Sequence, residues 1–249
     1  RWFEKFLPKE GVKYKNRSDD FHGIAISGPN SRKLLSKICR DDVSAEALKF
    51  RDTRETFVGG VPAILNRISF SGELGYEIYV APQFHLKLFE EIEVNGKDLG
   101  LKLYGSRALM SLRLEKNWGV WTLDFRPDFT ALESGLDAFI NWDKNFVGKE
   151  ATLNEKKQGP NKKLVTMTVD TDNIDVTNDE AILKDNQCVG YVTSGGYAHH
   201  VKKSMALGYV PTNFSKHETI LDIEINGIFY KAQVTDRPLY DANGGRMKN

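Results

Sequence analysis

Two carboxylates, Glu73 and Glu77, stand four positions apart in the stretch Ser69–Val80, "SFSGELGYEIYV". An ionised carboxylate only accepts hydrogen bonds, and its two oxygens can take a pair of N–H donors side by side. Gly72 and Gly75 read as a turn, because glycine tolerates positive φ, and this places Glu73 at an exposed tip. From Tyr76 the pattern alternates. Tyr76, Ile78 and Val80 share one face of a strand, and Glu77 and Tyr79 share the other. Two readings of Glu77 stay open. Either it faces water beside a tyrosine, or it accepts two hydrogen bonds from an amidine-like N–H pair, such as a pterin or guanine ring carries.

Other residues invite the same question. Arg107 falls in the first turn of a helix, "GSRALMSLRLE", where a cation is unfavourable. It either seeks a carboxylate or anionic ligand, or lies over the sheet by its aliphatic stem. Arg113 and Glu115 of that helix are expected in ordinary surface pairs. Asp124, Arg126 and Asp128 lie in an irregular aromatic loop, "WTLDFRPDFT", that either covers a ligand or satisfies its own charges. His199 and His200 are adjacent, so on a strand they point to opposite faces, and no third ligand stands at metal spacing. Gly195-Gly196 lacks the context of a nucleotide-binding loop, and no nucleophile elbow is present.

The elements that must position these residues follow from the patterning. A strand is expected over Phe21–Ser27, then a helix capped by Asn30 or Ser31 and running to Ile38. Strands follow over Val61–Phe70 and Gly75–Ala81, a helix over Gln83–Gly96, a short extended stretch at "LKLYG", and a helix over Ser106–Asn117. This order suggests an α+β layer, a mixed or antiparallel sheet with helices on one face. The polar "KKQGPNKK" (Lys156–Lys163) reads as a solvated linker. Beyond it only short strand-like runs remain, with Asp185-Asn186 and Asn226-Gly227 as hairpin turns, so this half reads as a small β-barrel or sandwich.

Composition limits the function classes. The 249 residues suggest two domains. The formal charge of +1, from 35 basic and 34 acidic residues, argues against a dedicated nucleic-acid surface. Cys39 and Cys188 are far apart in the chain and belong to no C-x-x-C pair, which argues against a disulfide framework or zinc site and suggests a reducing compartment such as the cytoplasm. No apolar run is long enough to span a membrane, and no signal peptide is evident. The start at Arg1-Trp2-Phe3, without an initiator Met, suggests a piece of a longer polypeptide.

Five blocks, in order, carry a family resemblance: "SFSGELGYEIYV", "YGSRALMSLRLEKNWGVW", "TALESGLDAFINWDKNFVGKEA", "GYVTSGGYAHHVKKSMALGYV" and "RPLYDANGGRM". Together they resemble the tetrahydrofolate-dependent aminomethyltransferases, the T-proteins of the glycine cleavage system. Within that family the chain is most similar to the folate-binding half of dimethylglycine and sarcosine dehydrogenases. The resemblance implies an α+β folate-binding region over 1–155 and a C-terminal β-barrel over 160–249. It implies that Glu77 holds the pterin ring, that Arg107 and Tyr240 contact folate, and that Phe70 stands where T-proteins carry an aromatic hydroxyl. It places the family's essential aspartate upstream of Arg1, so this chain alone is expected to be an incomplete catalytic unit. The implied reaction is transfer of a one-carbon unit from a small amine donor, giving 5,10-methylenetetrahydrofolate. FAD is implied only if an oxidase domain precedes the chain, and the implied partners are that domain or a lipoyl carrier protein. In a eukaryote the compartment would be the mitochondrial matrix. A non-catalytic folate-binding or scaffolding module working with a partner chain is the alternative. The iron–sulfur-maintenance branch is disfavoured because its cysteine signature is missing at the turn, and a sulfonium-donor demethylase of the same fold stays open.

Overall fold

The computed structural model describes residues 2–248. A five-residue helix, α1 (Trp2–Phe6), precedes strand β1 (His22–Ser27) and helix α2 (Ser31–Ile38). Strands β2 (Thr53–Val58), β3 (Val61–Asn66) and β4 (Gly75–Val80) follow, then helices α3 (His85–Gly96), α4 (Ser106–Glu115) and α5 (Lys149–Gln158). The remainder is strands β5 (Lys162–Val169), β6 (Ala181–Lys184), β7 (Gln187–Ala198), β8 (Lys203–Pro211), β9 (Ile220–Ile225) and β10 (Ile228–Thr235), closed by α6 (Gly245–Lys248). The chain forms two compact units. One comprises residues 1–69 and 74–101, the other residues 70–73 and 102–249.

The first unit is an antiparallel four-stranded sheet in the order β1-β4-β3-β2. One face is apolar and buried. Ile26, Leu65, Tyr76, Ile78 and Val80 pack there with Leu34 and Leu35 of α2 and Leu88 and Ile92 of α3. Each such side chain contributes about 1.5–3 kcal/mol by leaving water. Asn30 is the N-cap of α2, yet its side chain donates to the Leu99 carbonyl at 3.1 Å rather than to the helix. The sequence pattern did not disclose β2. "TRETFV" is a weak alternation, and Phe57 stays exposed. Its partner makes it a strand: Gly59 and Gly60, at φ 60 and 78, form the two-residue turn that aligns β2 with β3.

Three boundaries differ from expectation. Strand β3 stops at Asn66 rather than Phe70, and residues 67–74 form an irregular connection. "LKLYG" makes no strand. Helix α4 stops at Glu115 because Asn117 takes the left-handed conformation at φ 61, a common helix stop.

In the second unit, six antiparallel strands close a barrel in the order β10-β5-β8-β7-β6-β9. Met167, Ile182, Val192, Leu221, Ile223 and Val234 fill its interior. Closure leaves no unpaired edge. Leu114 of α4 packs with Ala198, Met205 and Leu207 in a satellite cluster on the barrel. The basic run expected as linker is instead the end of α5 and the start of β5. Lys156 and Lys157 occupy the last helical turn, where cations favour the helix dipole. The architecture is therefore a mixed helix and antiparallel-sheet region with a closed C-terminal six-stranded β-barrel.

Candidate functional site

The first unit offers a half-open polar face on the sheet. Strand register sets Glu77 of β4 opposite Ala25 of β1 and Asn66 of β3, and Tyr79 opposite Gly23 and Ile64. Residues directly opposite share a face, so these side chains stand together on the side away from α2 and α3. The Tyr79 hydroxyl donates to Glu77 Oε2 at 2.7 Å. That bond, and then burial, pushes the Tyr79 phenol up to about 12. Glu77 is thereby held by one oxygen, with Oε1 left to accept from elsewhere. Asn66 Oδ1 is buried and meets no hydrogen-bond donor among the described residues. Gly23 and Ala25 keep the neighbouring strand low, and a side chain at 23 would meet the Tyr79 ring at 3.0 Å. The face is thus acceptor-rich beside a flat, unobstructed strand, which suits a planar ring with an N–H edge.

In the second unit, the C-terminal end of α4 organises a separate cluster. The buried Glu115 carboxylate accepts from both the backbone N–H and Nδ1 of His200, each at 2.6 Å. A carboxylate only accepts, so Nδ1 carries the hydrogen. The His200 ring stacks on Tyr240 with centroids 4.3 Å apart. The Tyr240 hydroxyl donates to Glu73, and Arg246 lies 3.7 Å from the other Glu73 oxygen. Burial, followed by the bond to Glu73, pushes the Tyr240 phenol up to about 12. Lys116 Nζ donates to the carbonyls of Tyr240 and Asp241, pinning the loop that carries the tyrosine. Gly72 completes the cluster at φ 84, and a Cβ there would lie 2.4 Å from Lys116 Cγ.

These contacts correct two expectations. Glu73 is not an exposed tip but the partner of Tyr240, with its side chain only 14% exposed. Gly75 is not in the turn. It opens β4, and what excludes a side chain there is the Ile68 carbonyl, 2.8 Å from where its Cβ would stand. Sequence reasoning missed Glu73, Lys116 and His200 as a group, because the contacts join residues up to 167 positions apart.

Arg113 and Glu115 are also not surface pairs, since both are buried. Arg113 Nη1 reaches Asp124 Oδ2 at 3.0 Å, and Arg113 Nη2 donates to Ser194 Oγ at 2.8 Å. Burial holds the Arg113 guanidinium below its usual pKa. Asp124 also accepts from Ser194 Oγ at 2.9 Å, Val120 N at 2.8 Å and the Thr193 hydroxyl. Of the three charges in the aromatic loop, only Arg126 and Asp128 satisfy one another at the surface, at 2.6 Å. Arg107, in the first turn of α4, is exposed and has no ion pair among the described residues. Phe70 is 36% exposed. Glu77 belongs to the first unit, and Phe70, Arg107 and Tyr240 to the second. No helix among the described residues is long and apolar enough to cross a membrane.

The chain is similar to several known proteins. Human mitochondrial dimethylglycine dehydrogenase is 35% identical over 243 residues, which is 96% of this chain and 28% of the human protein. An aminomethyltransferase of Natranaerobius thermophilus is 32% identical over 234 residues, 93% of this chain and 63% of that protein. The crystal structure of glycine cleavage system aminomethyltransferase T from Bartonella henselae superposes with a TM-score of 0.79. That match covers 89% of this chain and 60% of the other at 23% identity, and it shows the shared fold. The chain thus spans less than two thirds of the length of these relatives. Residues 1–144 match the GCVT N-terminal domain and residues 162–241 match the Glycine cleavage T-protein C-terminal barrel domain, so the chain belongs to the glycine cleavage T-protein family.

Proposed function

We propose that the chain is the folate-binding part of a tetrahydrofolate-dependent aminomethyltransferase-type enzyme, with Glu77 as the acceptor for the pterin ring. The observation that carries this reading is the half-open sheet face, where Tyr79 engages Glu77 Oε2 and no donor among the described residues engages Oε1. A pterin presents a 2-amino group and N3–H side by side, so its donors match the acceptors on this face. When bound, tetrahydrofolate supplies N5 and N10, the nitrogens that take up the one-carbon unit from an amine donor. The residues of this face act by positioning. Tyr79 fixes the Glu77 carboxylate, Glu77 fixes the ring in its plane, and the small Gly23 and Ala25 leave room beside it.

Residues 1–155 would form the folate-binding region and 160–249 the accessory barrel. The family resemblance also assigns folate contacts to Phe70, Arg107 and Tyr240. The exposed guanidinium of Arg107, which has no ion pair among the described residues, suits an anionic group, and the buttressed ring of Tyr240 suits an apolar or stacking contact. An upstream FAD domain and a small N-methylated amine fit the likeness to dimethylglycine dehydrogenase. A lipoyl carrier fits the likeness to aminomethyltransferases. The compartment would be the cytoplasm, or the mitochondrial matrix in a eukaryote.

The test is a titration of folinic acid against the native chain and Glu77→Ala. A hydrogen bond to a charged group contributes roughly 1.5–3 kcal/mol, so the variant should bind at least about tenfold more weakly. Equal affinity in the two proteins overturns the assignment.

A further inference from the structure

The hairpin loop between β7 and β8 carries His200 to the C-terminal end of α4. Residues 199–202 make the turn, closed by the Lys202 N–H on the Ala198 carbonyl at 2.7 Å. Val201 packs against the cluster of Leu114, Ala198, Met205 and Leu207, which sets the loop on the helix. The next residue of α4, Glu115, has a fully buried carboxylate that accepts both the His200 backbone N–H and Nδ1–H, each at 2.6 Å. An imidazole left to itself turns broadly about χ2. Two bonds to one carboxylate fix the loop backbone and the ring plane together, and a buried charge strongly favours keeping them.

Tyr240 is held more firmly than its burial requires. Its side chain is only half-buried, and ordering a part-exposed side chain loses entropy for a modest gain in burial. Yet the His200 ring stacks on it, with centroids 4.3 Å apart and planes 24° from parallel. Glu73 accepts from its hydroxyl, and Lys116 Nζ donates to its carbonyl at 3.2 Å. A ring fixed in advance spares a ligand the cost of immobilising it. We propose that His200 is the positioning residue of Tyr240: oriented by the buried Glu115, its imidazole backs the Tyr240 ring and holds it in the pose that contacts folate. His200 acts through Tyr240 and makes no folate contact of its own. The inference rests on the reading of Tyr240 as a folate contact.

Binding of folinic acid is measured by calorimetry on the native chain, Tyr240→Ala, His200→Asn and the double variant, each well below its melting temperature. NMR of the Tyr240 ring is recorded on the ligand-free native chain and on His200→Asn. The substitution His200→Asn sets an amide N–H where the imidazole Nδ1–H stood, so the bonds to Glu115 stay while the stack is lost. Tyr240→Ala should weaken binding. His200→Asn should weaken it by about two- to tenfold, the cost of ordering one side chain on binding, and the Tyr240 ring signals should move towards those of a freely rotating tyrosine. The double variant should bind as Tyr240→Ala does, because His200 then has nothing to act through. Unchanged affinity in His200→Asn, with Tyr240→Ala weakened, overturns the positioning role alone. A double variant weaker than Tyr240→Ala gives His200 its own contact with the ligand and also overturns it. Unchanged affinity in Tyr240→Ala, with Glu77→Ala weakened, overturns the reading of Tyr240 and this inference with it, and leaves the pterin acceptor standing. A native chain that does not bind folinic acid overturns both.

Discussion

Replacing Asp124 by alanine removes the acceptor at the centre of the second unit. Arg113 would keep only the Trp118 carbonyl at 3.0 Å and Ser194 Oγ at 2.8 Å, so a nearly fully buried guanidinium would lose its counter-charge. At 3.0 Å the Coulomb attraction is about 5 kcal/mol for an effective dielectric of about 20. Severed buried pairs cost about 3–5 kcal/mol. Val120 N–H and the Ser194 hydroxyl also lose the Asp124 acceptor, while the Thr193 hydroxyl keeps the Leu207 carbonyl at 3.3 Å and the Tyr209 hydroxyl, which donates to the Asp124 backbone carbonyl, keeps its own. At about 2–4 °C per kcal/mol for a unit of this size, the melting temperature should fall by roughly 6–20 °C. Tryptophan fluorescence isolates the transition, since Trp118, Trp121 and Trp142 lie in the second unit and only Trp2 in the first. Asp128→Ala is the control. Its exposed pair with Arg126 is shorter, at 2.6 Å, yet should contribute only about 0–1 kcal/mol. The double variant Arg113→Met, Asp124→Leu should recover much of the loss, because an apolar pair strands no charge. A fall below about 3 °C for Asp124→Ala, or no recovery in the double variant, would refute the reasoning.

Gly72→Ala should destabilise the second unit by about 1–3 kcal/mol and release Tyr240, since φ is 84 and the new Cβ would meet the Lys116 stem at 2.4 Å; chemical denaturation and Tyr240 side-chain NMR read the two effects. Glu115→Ala should cost about 1–3 kcal/mol by stranding the His200 backbone N–H, and ¹⁵N NMR of His200 should show the loss of its fixed Nδ1–H tautomer. In an alkaline titration followed by phenolate absorbance, Tyr79 should ionise near 12, above the ordinary value of 10.0. Because its folded pKa is raised, this contribution to stability is complete below pH 10.0 and is lost as pH rises towards 12. Glu77→Gln should move the Tyr79 transition down, since the negative acceptor that stabilises the neutral phenol is gone; an unmoved transition would show that Glu77 is not its cause.

Much of the architecture was legible from local chemistry. The alternation from Tyr76 to Val80 put Glu77 on the face opposite the core, and a period of two leaves no other outcome once Ile78 is buried. Turn dipeptides and short β-rich runs announced the barrel half, because hairpin turns depend on residues that accept positive φ. Strand β2 was hidden, as its pattern is weak and its identity comes from pairing with β3.

The functional residues divide on the same physical line. Local order determined that Glu77 would share a face with Tyr79, since both lie on one strand. Only strand register could bring Asn66 opposite Glu77 and leave its acceptor unpaired, because register is a relation between strands. Only the tertiary fold could bury Glu115 and Arg113, whose types and helical spacing look like those of a surface face. Their partners, His200, Asp124 and Ser194, come from a distant loop and strand. Burial is decided by what the rest of the chain packs over a residue, and the sequence around that residue does not record it.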